Sequence, residues 1–303
     1  MLNIIQKKKI WYLFSGLLLV ISILSLSLWG LKFGLDFTGG TLMEVSFTNS
    51  RPEANKLNEE LTKLNLGSIS IQPAGEKDVI FRLRDISEEN HQQILTSLKT
   101  LGGELTELRF ESIGPVIGSE LKKRALWAVI IACLFIVSYI AWAFRKVSRP
   151  VASWKYGLAA VAALAHDVLI TVGAFSLLGH FMGVEIDALF VSAILTVLGF
   201  SVHDTIVVFD RTRENLFRGS STDFISTVNK SVNDTITRSI NTSLTVLLVL
   251  SALFFLGGET IKYFALTLMI GITIGTYSSI FIASPLLVDW YNWGMRKQVA
   301  RSK

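Results

Sequence analysis

The stretch SVHDTIVVFDR, residues 201–211, sets a histidine and an aspartate side by side in apolar surroundings. Ala188 to Val202 holds no charged residue, and Thr205 to Phe209 holds none either. Such a run reads as a membrane span, because a helix needs about 20 mostly apolar residues to cross the hydrocarbon core. His203 and Asp204 then lie near one end of the span. An ionisable side chain at the centre of a spanning helix costs about 2.5 to 3.5 kcal/mol on insertion scales, and where one is kept it serves a pathway or finds a partner.

The same reading applied to the rest of the chain gives six spans, at 11–30, 125–144, 155–178, 187–209, 240–257 and 263–287. Half of the 303 residues are hydrophobic, 17% are charged and mean hydropathy is +0.49, a balance foreign to soluble domains. The formal charge of +5 (29 basic against 24 acidic residues) needs no nucleic acid to explain it. Basic residues of membrane proteins gather in cytoplasmic loops, where anionic headgroups favour them. The single cysteine, Cys133, excludes an intrachain disulfide. No group of Cys, His and carboxylates has metal-ligand spacing, and no phosphate-binding glycine loop or nucleophile–base pattern occurs. Neither a cofactor nor a hydrolytic site is expected. The first span follows Lys7, Lys8 and Lys9, but its apolar run exceeds the 7–15 residues or so of a secretory signal core, so it reads as an uncleaved anchor.

Basic residues also orient the spans. With the N-terminus cytoplasmic, the inside segments carry Lys7–Lys9, then Arg145, Lys146, Arg149 and Lys155. Arg211, Arg213, Arg218, Lys230 and Arg238 follow, then Arg296, Lys297, Arg301 and Lys303, whereas the two short outside loops hold only Lys262. Both termini are therefore expected inside. The expected organisation is 1–30 for the N-terminus and first span, 31–124 for an external domain, 125–290 for the other five spans with a cytoplasmic loop at 210–238, and 291–303 for a basic tail.

The external segment changes character. TLMEVSF (41–47) and DVIFRLR (78–84) alternate apolar and polar residues, as does ELRFES (107–112), and SIS (68–70) suggests a further strand. Period-two alternation with one wet face marks an antiparallel sheet. Apolar residues at helical spacing over 51–65 and 87–100 complete a β-α-β-β-α-β order, that of a ferredoxin-like α+β domain. Its one histidine, His91, falls on a polar helix face and is expected at the surface.

Two carboxylates lie within spans, each after a histidine: His166–Asp167 and His203–Asp204. Arg238 opens the fifth span from the side on which Asp204 lies, and can reach it where the two helices pack. Ser192, Thr196, Gly199 and His203 share one helix stripe, Arg238, Thr242 and Thr245 a second, and Asp167, Thr171 and Ala174 a third. These stripes suit an interior polar track. Gly271 and Gly275 form a small-xxx-small pattern that permits close helix approach. A carboxyl beside a guanidinium gives up its proton more readily than one alone in an apolar site, so moving the arginine would switch proton affinity. His166 reads as a hydrogen-bonded packing residue. Residues 221–236 begin with capping residues and place Phe224, Val228 and Val232 on one face, the pattern of a helix lying along the membrane surface.

FGLDFTGGT (33–41), AHDVLIT (165–171), SVHDTIVVFDRTREN (201–215) and TRSINTS (237–243) together resemble the SecF branch of the SecD/SecF family of protein-export membrane proteins, relatives of the resistance–nodulation–division (RND) transporters. The resemblance runs from the first span to the last. It implies a polytopic α-helical membrane protein with six transmembrane helices, half of an RND-type bundle, and an external domain between the first two. It further implies SecD as obligate partner, together with the SecYEG channel, YajC and, functionally, SecA, in the bacterial inner membrane. The implied work is use of the proton motive force to promote late stages of preprotein translocation, with H+ as coupling ion and Na+ the alternative. In the family, the aspartate and arginine matching Asp204 and Arg238 are tied to proton movement; Asp167 is a weaker candidate on its place in a span alone. The family often has asparagine at the position of His203, which is therefore not counted as essential. Asp36, Gly39 and Gly40 match the family motif, with a backbone turn as the expected role; Asp210, Arg211, Arg213, Glu214 and Asn215 match a second motif and otherwise read as a solvated, topogenic segment. An RND-type small-molecule or lipid exporter half and a non-transporting scaffold are the rival readings.

Overall fold

The computed structural model describes residues 2–64, 66–67, 69–143, 151–219 and 223–301, without the side chains of Ser153, Glu259, Thr260 and 296–301. Arg145, Lys146, Arg149 and Lys303, used above for orientation, lie outside the described residues, as do the side chains of Arg296, Lys297 and Arg301. In chain order the elements are α1 (Lys8–Leu28), α2 (Leu35–Thr38), β1 (Gly40–Phe47), α3 (Ala54–Thr62), β2 (Ser70–Ala74), β3 (Asp78–Leu83), α4 (Glu88–Gly102) and β4 (Leu105–Ile113). Then come α5 (Pro115–Ala143), α6 (Ser153–Met182), α7 (Ala188–Phe217), α8 (Phe224–Leu256), α9 (Glu259–Ser278), a π-helical turn (Ser279–Ala283) and α10 (Ser284–Arg301). The chain divides into two compact units, Phe33–Leu126 and Met1–Lys32 with Trp127–Lys303.

In the smaller unit the strands align as β2-β3-β1-β4, every neighbouring pair antiparallel. This is the expected ferredoxin-like arrangement. The alternation in β1 puts Met43, Val45 and Phe47 in the core with Val79, Phe81 and Leu83 of β3, against Leu57 and Leu61 of α3 and Ile94 and Leu98 of α4. The strand suggested at 68–70 is observed at Ser70–Ala74, Ser68 lying outside the described residues. His91 departs from expectation. It is 5% exposed, stacks on Phe110 with centroids 3.9 Å apart, and sets Nε2 2.8 Å from Glu107 and Nδ1 3.2 Å from Glu88. The reason is spacing: His91, Ile94 and Leu98 lie three and four residues apart, so His91 belongs to the apolar face that α4 turns to the sheet.

Among the described residues, six helical segments are long and apolar enough to cross a membrane: Lys8–Leu28, Pro115–Ala143, Trp154–Met182, Ala188–Phe217, Phe224–Leu256 and Ile261–Met295. The last joins α9, the π turn and part of α10. Over their most apolar windows, 56% of the third and sixth and 50% of the fourth is buried, against 17%, 6% and 17% for the first, second and fifth. The α6, α7 and α9 helices therefore make the centre. Because lipid is as apolar as leucine, helices in membranes associate through small residues and close packing rather than the hydrophobic effect. Accordingly α1 buries Ser15, Ser22 and Ser25, with Ser25 Oγ donating to Gly173 O at 3.1 Å, and leaves Leu13, Leu17 and Leu24 exposed.

Two boundaries differ from expectation. The 221–236 region is not a separate surface helix: from Phe224 it is the start of the continuous 33-residue α8. No glycine or proline interrupts 224–256, and Phe224, Val228 and Val232 pack into the bundle core with Val208, Phe209 and Tyr156. Within the expected cytoplasmic segment 210–238, α7 runs on to Phe217 and α8 begins at Phe224.

Candidate functional site

Asp167 sits halfway along α6, wholly buried, and gathers three elements. His166 Nδ1 lies 2.8 Å from its Oδ1, while Ser201 Oγ of α7 (2.5 Å) and Ser278 Oγ of α9 (2.7 Å) both donate to Oδ2. The neighbouring hydroxyls continue the network. Thr205 and Ser279 are 2.8 Å apart, Ser279 also donates to Ser201 O (3.4 Å), and Ser243 and Thr276 are 2.5 Å apart. Thr276 and Ser278 at the end of α9 and Ser279 at the start of the π-helical turn thus touch α8, α6 and α7 in succession. Such turns often occur at functional sites, because the widened coil leaves carbonyls without their usual partners. Here Ser284 Oγ reaches back to Ser279 O at 3.1 Å.

Asp204 occupies a second polar point between α7 and α8. It is 6% exposed and accepts from Ser239 Oγ at 2.8 Å, while its Oδ2 is buried without a hydrogen-bond partner. Thr276 lies beside Asp204 and shares a hydrogen bond with Ser243 in which either hydroxyl can donate. Arg238 makes no ion pair with Asp204. Consecutive residues point about 100° apart on a helix of 3.6 residues per turn, so with Ser239 turned to Asp204, Arg238 falls on the exposed face.

Of the three expected stripes, only the one through Asp167 and Thr171 lies inside this chain, both residues being 0% exposed. Ser192, Thr196, Gly199 and His203 are all exposed on α7, and Arg238, Thr242 and Thr245 are exposed on α8. The stripe hydroxyls bond back to their own helices (Ser192 to Ala188 O, Thr196 to Ser192 O, Thr242 to Arg238 O), and a side chain at Gly199 would meet nothing within 4 Å. Two neighbouring apolar helices therefore show a polar strip on the outer surface of the chain.

The remaining candidates make structure. Arg211 binds Glu214 (2.7 Å) and Asp234 (2.8 Å), and Asn215 Nδ2 donates to Ser231 (2.9 Å) and Asp234 (3.3 Å), clasping the end of α7 to the start of α8. Asp210 and Arg213 lie 3.8 Å apart on the same helix. Gly39 and Gly40 have φ of 69° and 120°, and a Cβ on either would come within 2.7 Å of backbone, at Pro115 Cα or Leu83 O. Only glycine allows this approach. Asp36 lies in the preceding turn, α2. Gly271 lies against Val197 and Gly275 against Ser201, which lets α9 close on α7. Sequence reasoning missed Ser201, Ser239, Thr276, Ser278, Ser279 and Asp234. The cluster TYSS (276–279) in an otherwise apolar span was the one available signal.

Residues 93–293 match the family described as "Protein export membrane protein SecD/SecF, C-terminal", and residues 30–50 match its "SecD/SecF GG Motif". The protein translocase subunit SecF of Thermobaculum terrenum is 45% identical over 305 residues, covering 96% of this chain and 95% of its own. That of Desulfurispirillum indicum is 42% identical, covering 91% and 87%. The crystal structure of SecDF from Thermus thermophilus, a translocon-associated membrane protein, matches with a TM-score of 0.81 and 32% identity over 96% of this chain. A second SecDF structure, in a super-membrane-facing form, gives 0.70 over 99%. The chain spans about two fifths of those SecDF chains (39% and 40%). Similarity of this extent, covering both the glycine motif and the helices that carry Asp167 and Asp204, shows that the chain is a multi-pass membrane protein belonging to the SecF family of protein translocase subunits.

Proposed function

We propose that this chain works with a SecD-type half to couple the proton motive force to late stages of preprotein translocation through the SecYEG channel, following the push of SecA and with YajC as an associated subunit. The observation that carries the reading is Asp204: a carboxylate 6% exposed inside an apolar bundle, with one oxygen unpartnered, beside the outer polar strip of α7 and α8. A partner half of like architecture would cover that strip. Asp204 and Arg238 would then lie at the junction of the halves, close enough for Arg238 to approach or leave the carboxylate as the halves move. One elementary charge crossing the membrane is worth about 2.3 kcal/mol per 100 mV, enough to bias such a movement. The coupling ion is H+, with Na+ as the alternative, and transport needs no hydrolytic site within the chain. The setting is the bacterial inner membrane, with both termini cytoplasmic and residues 31–124 periplasmic. Family membership disfavours the small-molecule or lipid exporter.

The test uses inverted vesicles holding this chain, its SecD partner and the channel, in which completion of preprotein transport is followed with and without a proton gradient. Asp204→Asn, shown first to assemble, is expected to lose the gradient-dependent increment. An unchanged increment would make Asp204 a structural acid and favour the scaffold reading.

A further inference from the structure

His166 differs from a packing histidine in one respect. Nδ1 is 2.8 Å from Asp167 Oδ1. With Asp167 ionised, its oxygen can only accept, so Nδ1 is the donor and Nε2 keeps the free lone pair of the neutral ring. Nε2 is buried and has no hydrogen-bond partner, although His166 is only 5% exposed. Most buried side-chain polar atoms have a hydrogen-bond partner. Here one ring nitrogen is held by a carboxyl group and the other, although buried, has none.

The rest of the cluster suits a change of charge at that ring. Both Asp167 oxygens are occupied as acceptors, from His166 on one side and from Ser201 and Ser278 on the other. A positive imidazole would therefore stand directly against a carboxylate already held by two hydroxyls. Of the elements packed on α6, α9 brings Tyr277, whose ring stacks 6.3 Å from that of His166, and α1 brings Ser15. The Tyr277 hydroxyl is engaged, accepting from Ser15 at 3.1 Å and donating to Trp11 O at 3.0 Å. The other charged groups on these neighbours are paired elsewhere or turned away: Lys8 and Tyr12 of α1 bind Asp289 of α10, Asp204 faces Ser239, and His203 is exposed.

We propose that His166 is a proton-binding site of this chain, taking a proton from hydronium on Nε2 while its Nδ1–H stays donated to Asp167. The step forms one N–H bond and breaks one O–H bond of a hydronium ion, which leaves as neutral water. It places a cation at the meeting of α1, α6 and α9, one residue from the carboxylate that holds Ser278 of the turn before the π helix. Its part in coupling rests on the proton-driven reading above, whereas proton binding itself does not.

The full chain, 15N-labelled at its four histidines and reconstituted with its partner in lipid nanodiscs, tests this by side-chain nitrogen NMR. The scan covers about pH 5 to 8, where imidazoles ordinarily change charge. His166→Gln assigns the signal, and a His91→Gln, His180→Gln, His203→Gln triple variant leaves His166 as the only histidine should that single variant fail to fold. The expected result is a ring with hydrogen on Nδ1 and none on Nε2 at the alkaline end, gaining an Nε2 hydrogen on acidification. Hydrogen on Nε2 throughout, or a bare Nε2 throughout, overturns the proposal. The titration reads independently of transport. A gradient response unaffected by Asp204→Asn with His166 titrating would sink the coupling reading alone, and a silent His166 would sink this proposal whatever Asp204→Asn does.

Discussion

Ser278→Ala removes one hydroxyl from the Asp167 cluster and nothing else of size. Ser278 and Asp167 are both 0% exposed and their contact is 2.7 Å, so water cannot substitute for the lost donor without entering the bundle. Two magnitudes compete. Hydrogen bonds between helices in membranes average about 0.6 kcal/mol and reach about 1.7, because the separated helices find other partners. Bonds to a charged group in soluble proteins are worth about 1.5–3 kcal/mol. Asp167 keeps Ser201 and His166 after the change, which favours the lower scale, while its burial favours the higher. The expected loss is about 1–2 kcal/mol, a factor of about 5 to 30 in the unfolding equilibrium. Asp167→Asn and the double variant complete a thermodynamic cycle, read by circular dichroism during reversible unfolding of the chain in mixed micelles. The contact predicts a coupling energy of about 1 kcal/mol. Independent sites add within about 0.3–0.5 kcal/mol, so a coupling inside that margin would refute the claim that Ser278 ties α9 to Asp167.

Gly271→Ala should destabilise the chain by about 1–3 kcal/mol in the same unfolding assay, the usual cost of overpacking, because the new methyl would collide with the fully buried Val197; an unchanged midpoint would mean that α7 and α9 are not in close contact. At the start of α8, the Ser226 hydroxyl and backbone N–H hold the Asp223 carboxyl below the usual carboxylate range. A carboxyl lowered in the folded state contributes stability that is present above its unfolded value, about 3.9, and lost as pH falls through the folded one. Asp223→Ala should accordingly cost about 1 kcal/mol at neutral pH, with the gap to wild type closing as pH is lowered below 4 or so; a gap that persists at low pH would show that the cap does not act through its charge.

What the sequence determined by itself were the local and periodic features. Six apolar runs, the β-α-β-β-α-β order of 31–124 and the glycine pair at Gly39–Gly40 were all legible, because side-chain period and backbone freedom are properties of neighbours in the chain. Asp167 and Asp204 could be singled out for the same reason: a carboxylate in an apolar run is visible without a partner. Partnership was not visible. Periodicity showed that Ser192, Thr196, Gly199 and His203 share a face but not which face a neighbouring helix covers, and the structure leaves that face open. Ser201 and Ser278 look in the sequence like hydroxyls that bond back to their own helix, as Thr196 and Thr242 do. Only packing brings them to Asp167. Arg238 and Ser239 show the limit most sharply. The sequence offered the arginine as the partner of Asp204, but the rotation of α8 about its axis, set by Phe224, Val228 and Val232 in the bundle core, gave that place to the serine.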